Sequence, residues 1–270
     1  MFHTGRRDTV EFGMRKFLLT LKYCGEDFVG WQVQKNGYSV QTCMQDAIEK
    51  IFGRRADVTG CSRTDSGVHA LGYQMCFEMD TDMECRRIPL ALNAVLPESI
   101  SVWACTEVPA SFHPRYSAKA KEYIYRLYDG PLRDPFLKGR AYHFKGNLDE
   151  TRMREAAARF LGRHDFRSFM SDGSKITQTE RTLYYFNIRR KERLLELCVC
   201  GDGFLYNMVR ILTGTLIWVG TGRIDAADCD AILRAKNRKA AGPTVPAEGL
   251  YLSRVFYTLP TEEENYEPFK

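Results

Sequence analysis

The order in which extended and helical segments alternate limits this chain more than any other feature. Residues 16–23 are apolar and β-favouring and end at Cys24-Gly25, which reads as a strand. Ser39 then precedes Val40, Met44, Ala47, Ile48 and Ile51 at helical spacing, and Gly53 follows, so a capped helix is predicted there. A short strand around Val58, a strand over 73–78, a helix over 88–96 and a strand over 101–108 come next. The order β-α-β-β-α-β is that of the ferredoxin-like arrangement, an antiparallel sheet with helices on one face. The open face is expected to be free to bind something.

Pro109-Ala-Ser-Phe-His-Pro114 is a natural joint. Beyond it the element order repeats loosely, without a repeat in sequence. Strands are predicted over 121–128, 182–190, 194–200 and 251–257, and helices over 149–161, 204–219 and 225–235. The fold class expected is α+β, with an N-terminal half over 14–110 and a C-terminal half over 111–260. Residues 1–13 and the acidic 261–270 are expected to be flexible tails.

Composition sets outer bounds. The chain has 270 residues, 44% of them hydrophobic and 27% charged, which suits one large core or two modest ones. No run of about 18 apolar residues occurs, so no membrane-spanning helix is expected. Residues 1–15 carry charges and no apolar stretch, unlike a secretory signal. Nine scattered cysteines with no Cys-x-x-Cys fit free thiols in a reducing cytoplasm better than disulfides or zinc; Cys198-x-Cys200 lacks a second pair to complete a site. A net charge of +5, with local groups such as Arg54-Arg55, Lys119-Lys121 and Arg189-Arg190-Lys191, suits a polyanionic partner where those groups converge.

The segment Gly60-Cys61-Ser62-Arg63-Thr64-Asp65-Ser66-Gly67-Val68-His69-Ala70 carries the candidate chemistry. Two glycines and no bulky residue before Val68 make it a loop. An Arg two residues before an Asp lies on the same side of an extended backbone, where its guanidinium can hold the carboxylate ionised and aimed. A carboxylate nucleophile needs that. The ordinary alternative is a surface turn with a weak ion pair.

Arg63-Thr-Asp-Ser-Gly-Val-His-Ala70 resembles the signature of the TruA family of tRNA pseudouridine synthases, Gly-Arg-Thr-Asp-Ala-Gly-Val-His-Ala, with Ser62 and Ser66 as small replacements. Other stretches are similar to the same family in the same order. They are Phe28-Val-Gly-Trp-Gln-Val-Gln34, Phe112-His-Pro-Arg-Tyr-Ser-Ala118, the strand with Tyr123 and Tyr125, His164-Asp-Phe-Arg-Ser-Phe169, Phe204-Leu-Tyr-Asn-Met-Val-Arg210 and Pro246-Ala-Glu-Gly-Leu-Tyr-Leu252. The resemblance implies two ferredoxin-like halves in one continuous, mostly antiparallel sheet with a central RNA-binding cleft. It implies isomerisation of uridine at positions 38, 39 and 40 of the tRNA anticodon stem-loop, in a cytoplasmic homodimer without cofactor or metal. Asp65 takes the nucleophile's place, with Arg63 and Arg210 as catalytic guanidiniums; Tyr123 contacts the target uridine, and Leu250 walls the base pocket. Arg210 is expected to lower the Asp65 pKa by pairing with it. Glu122 stands where the family often has a basic residue, which implies weaker local RNA affinity. His69 is expected to bond loop backbone rather than act as a base, and Trp31 to pack under the loop. Two other readings compete. One is a catalytically silent RNA-binding protein, against which the intact Arg63, Asp65, Tyr123 and Arg210 stand. The other is a carboxylate hydrolase, for which the loop offers no second acid.

Overall fold

The structure, a computed structural model, describes residues 13–35, 37–173 and 176–260. The expected tails lie outside these residues, Gly13 excepted. The first half runs β1 (Met14–Tyr23), α1 (Val40–Phe52), β2 (Val58–Gly60), β3 (His69–Asp80), α2 (Ile88–Asn93) and β4 (Ile100–Val108). The second runs β5 (Ala120–Tyr128), β6 (Tyr142–His143), α3 (Glu150–Ala158), β7 (Gly162–Asp165), β8 (Glu180–Lys191), β9 (Leu194–Gly201), α4 (Met208–Gly220), α5 (Asp228–Ala235) and β10 (Leu250–Phe256). Ser39 caps α1 by accepting from the Thr42 N–H, and Gly53 closes it in the left-handed conformation at φ 69°.

All strands join one sheet in the order β4-β1-β3-β10-β5-β9-β8-β7, with β2 added to β3 and β6 to β5. Each half is a ferredoxin-like unit: β4-β1-β3-β2 in the first, β10-β5-β9-β8 in the second. The halves meet where β10 runs parallel to the start of β3, Tyr251 opposite His69 and Leu252 opposite Ala70. The strand β3 serves both neighbours on that edge because it is 12 residues long: its far end takes β2 and its near end takes β10.

Alternation divides the sheet. Phe17, Leu19 and Leu21 of β1, Met75 and Phe77 of β3, and Tyr123, Tyr125 and Leu127 of β5 share one core with Val40, Met44 and Ile48 of α1 and Met208, Leu212 and Leu216 of α4. The opposite face carries a small cluster of Ala120, Ile124, Tyr185, Cys198, Cys200, Tyr251 and Phe256, with no helical residue in it. The helices therefore cover one face. Two expectations change here. Glu122 points to the helix-free face, fully buried, and accepts from the Tyr185 hydroxyl at 2.5 Å and the Ser253 hydroxyl at 2.6 Å. It cannot weaken RNA contact on the other side of the strand. The helix expected from 204 begins at Met208, and burial surrounds it almost completely instead of following one stripe. Residues 241–243 pack on its far side; the Gly242 N–H donates to the Thr215 hydroxyl at 2.9 Å, and a Cβ on Gly214 would sit 1.9 Å from the Pro243 carbonyl oxygen.

His69 fastens the junction. Its Nδ1 accepts from the Gly25 N–H at 3.1 Å, so Nε2 carries the proton that it shares with the Glu248 carbonyl at 3.2 Å. Its ring stacks on Tyr251, centroids 4.6 Å apart. Burial pushes its pKa down to about 4, from an ordinary value of 6.5. The depressed value makes the contribution of the neutral ring to stability complete above pH 6.5 and lost as pH falls toward 4. Unfolding free energy is expected to decline across that window in denaturant titrations, and His69→Gln is expected to flatten the decline.

Candidate active site

Asp65 sits in the loop between β2 and β3, and the loop is held from beneath. The Tyr73 hydroxyl donates to the Ser62 carbonyl at 2.5 Å, and the Tyr23 hydroxyl lies 2.9 Å from the Thr64 hydroxyl. Both phenols are buried. The Trp31 ring stacks on Tyr73 at 4.2 Å, and the Trp31 backbone N–H donates to the Thr64 carbonyl at 3.1 Å. The backbone comes this close because residue 30 is glycine: its φ is +108°, and a Cβ there would lie 2.4 Å from the Thr64 carbonyl oxygen. The glutamine of this segment that the structure places in a bond, Gln34, donates to the Val29 carbonyl at 3.0 Å.

The loop borders a cleft of about 1000 Å³ between the halves, lined by Asp65, Val68, Lys121, Tyr123, Phe204, Leu250 and others. It opens on the helix-bearing side. The helix-free face was the expected binding surface, but the cationic and aromatic side chains point the other way, because Lys121 and Tyr123 alternate with Glu122 along β5. Tyr123 forms the floor, 7% exposed, edge-on to Phe204 with centroids 5.0 Å apart. Its hydroxyl lies 3.4 Å from the Ser62 hydroxyl, and burial pushes its pKa up, so the phenol stays neutral. Leu250, at the start of β10, is buried along the same wall.

Arg210, in the first turn of α4, reaches the acid: its Nη1 lies 3.8 Å from Asp65 Oδ2. The guanidinium is fixed by two shorter bonds, from Nε to the Val245 carbonyl at 2.7 Å and from Nη1 to Asn207 Oδ1 at 2.8 Å. The expected lowering of the Asp65 pKa is overturned. Loss of solvent raises it, Arg210 opposes the rise, and the net direction is upward. At 3.8 Å the ion pair is too long to offset the loss of water around the carboxylate. Arg63 is brought to the cleft but makes no ion pair with Asp65; it is exposed. The brace expected from their two-residue spacing is absent: residues 63–65 lie between a bend at 61–62 and a turn at 66–67 and belong to no strand.

Only part of a cationic wall was legible in the sequence, which offered the Lys119-Lys121 group but not its convergence with Arg115 and Arg181. Arg115, Lys121 and Arg181 line one side of the cleft, and Lys121 has no acidic partner among the described residues. Burial, then repulsion from Arg115 and Arg181, holds its pKa below the ordinary lysine value. The signal was the alternation that places Lys121 on the face of Tyr123. Two further carboxylates line the cleft. Glu180 pairs with Arg163 at 2.9 Å, and Asp202 accepts from the Thr182 N–H at 3.0 Å. Elsewhere, His113 accepts from the Arg115 and Tyr116 N–H groups and shapes the turn that presents Arg115. Phe166 and Phe169 are fully buried in the core. Among the described residues no three His, Cys, Asp or Glu side chains gather as a metal-binding group, and no helix is long and apolar enough to cross a membrane.

The fold and cleft define an α+β protein whose two halves enclose a carboxylate–guanidinium pair over an aromatic floor. The sequence model described as tRNA pseudouridine synthase matches residues 20–117 and 156–258. The tRNA pseudouridine synthase A of Ruminiclostridium cellulolyticum is 42% identical over 245 residues, covering 90% of this chain and 100% of that protein. That of Acetivibrio thermocellus is 43% identical over 244 residues, covering 90% and 100%. A chain in the crystal structure of a Cbf5-Nop10-Gar1 complex aligns with a TM-score of 0.38 and 14% identity, over 74% of this chain and 45% of its own. The chain belongs to the tRNA pseudouridine synthase family, a family of isomerases.

Replacing Gly30 by Ala is expected to destabilise the protein by about 1–3 kcal/mol, because the side chain meets both a positive φ and the Thr64 carbonyl. Urea denaturation checks the stability, and steady-state turnover is expected to fall with it as the loop shifts.

Proposed function

We propose that this protein isomerises uridine to pseudouridine in the anticodon stem-loop of tRNA, at position 38, 39 or 40, with Asp65 as the nucleophile. The observation that carries the reading is the Asp65–Arg210 pair at 3.8 Å, in a cleft floored by Tyr123. The reaction breaks the bond from uracil N1 to ribose C1′, turns the base, and joins C5 to C1′ while the C5 proton moves to solvent and N1 gains one. No electrons are gained or lost. A base inside a helix cannot undergo this rotation, so the nucleotide must leave its stack. A cleft of about 1000 Å³ has room for a flipped nucleotide and its neighbours.

Each group has a role set by its chemistry. Asp65, ionised, attacks the substrate or answers charge developing at C1′; both need an aimed carboxylate. Arg210 opposes the rise that desolvation causes in the carboxyl pKa. The Tyr123 ring offers the flipped base a stacking surface, and Leu250 an apolar wall. Arg63, exposed and lining the cleft, is placed to meet a phosphate of the bound strand. Arg115, Lys121 and Arg181 meet the phosphodiester backbone. On the same reading the enzyme works as a cytoplasmic homodimer without cofactor or metal.

Asp65→Asn is expected to abolish tritium release from 5-tritiated uridine tRNA while leaving tRNA affinity within a few-fold of the parent. Turnover by that variant at the parent rate would remove Asp65 from the mechanism. The raised acid also has a stability consequence. Its neutral form stabilises the fold below the unfolded pKa of 3.8, and that contribution is lost as pH rises through the folded value. At neutral pH the Asn variant is therefore expected to unfold at a higher temperature than the parent. Lys121→Ala is expected to weaken tRNA binding across sequences and to reduce the slope of log affinity against log salt by about one.

A further inference from the structure

Asn207 occupies the position just before α4 where a side chain ordinarily caps the helix, and it does not cap it. Its backbone is left-handed, φ 59° and ψ 12°, one of three non-glycine residues with positive φ among those described. Asn tolerates that conformation better than most residues, but it still carries strain. The side chain faces away from the helix end. Its Oδ1 accepts from Arg210 Nη1 at 2.8 Å, and its Nδ2 donates to the Ser171 hydroxyl at 3.0 Å. Arginine can only donate, so the amide is fixed with its oxygen toward Arg210. The Ser171 N–H in turn donates to the Tyr206 carbonyl at 3.1 Å, which locks the serine to the same turn.

We infer that Asn207 is a positioning residue for the catalytic pair: with Ser171 it holds the Arg210 guanidinium at the distance from Asp65 that the reaction needs. The inference rests on the reading of Asp65 as the reacting carboxylate. The geometry leaves few alternatives for Arg210. Its Nε is committed to the Val245 carbonyl, and the nitrogen bound by Asn207 is the same Nη1 that faces Asp65. Without the amide, that nitrogen is free to swing away from the carboxylate about the Val245 bond. Asn207 borders the same cleft, and its bond toward the catalytic pair is to Arg210, so its effect on Asp65 runs through that guanidinium.

Asn207→Gly separates the side chain from the backbone, since glycine keeps the left-handed turn without strain. Turnover number for tRNA is expected to drop about ten- to a hundredfold with KM within twofold of the parent, as a displaced catalytic group predicts. Ser171→Ala, which leaves the amide loose but present, is expected to fall between. The acid limb of the kcat profile is expected to move to higher pH in Asn207→Gly. The groups facing Asp65 are Arg210 from α4 and Tyr123 from β5, with Arg63 on its own loop. Of these only Arg210 lowers the Asp65 pKa, and its displacement leaves desolvation unopposed. A purely structural role for Asn207 would change thermal unfolding and KM and leave that limb in place. Parent-like kcat and pH profile in Asn207→Gly overturn the inference. Asp65→Asn measured alongside separates the two levels. A dead Asp65→Asn with a normal Asn207→Gly sinks the tether alone. An active Asp65→Asn sinks the reading of the site, and the tether with it.

Discussion

The parallel contact between β10 and the start of β3 is the constraint on which the rest depends. Only two residue pairs define it, yet it fixes where the halves stand relative to each other. The Asp65 loop leads directly into β3, so the same contact that joins the sheets carries the acid to the second half. Across β10 lies β5 with Tyr123, and above β5 lies the first turn of α4 with Arg210. Neither half alone holds the three groups. His69, one residue past the loop and stacked on Tyr251, ties acid placement to the integrity of the join.

Electrostatics in the cleft follow from that assembly. Bringing the halves together partly desolvates Asp65, whose side chain stays 39% exposed, and the nearby Arg210 is held back at 3.8 Å by bonds of its own. The acid is left with a raised pKa, and the opposite wall carries Lys121 without an acidic partner among the described residues. Such an arrangement is unfavourable for a protein alone in water. It becomes favourable when a polyanion fills the cleft. Stability is given up at the position where charge is wanted, as is common where backbone and charge are both held away from their relaxed states.

Much of the architecture was legible because each element carries its own local signal. Ser39 and Gly53 mark the ends of α1 through capping chemistry, which needs no partner outside the helix. The strand of Tyr123 announces two faces by alternation, and with them the company of Lys121. The Asp65 loop was legible by its glycines. The start of α4 was not. Residues 204–207 have helical composition, but Asn207 turns left-handed and its side chain serves Ser171 and Arg210. An asparagine before a helix reads as a cap, and nothing local distinguishes a cap from a tether. The weak edges β6 and β7 were likewise invisible, being short pairings imposed by neighbours.

The chain by itself determined the order and type of its main elements, which residues share a strand face, and which loop holds the acid. These are consequences of backbone propensity and periodicity, properties of residues a few positions apart. Tertiary structure alone decided that Glu122 is buried behind the sheet, that Arg63 makes no ion pair with Asp65, that the cleft opens beside the helices, and that the carboxyl pKa is raised by desolvation. Each of those depends on which distant segments come within a few ångströms and how much water they displace, and no local pattern encodes that distance.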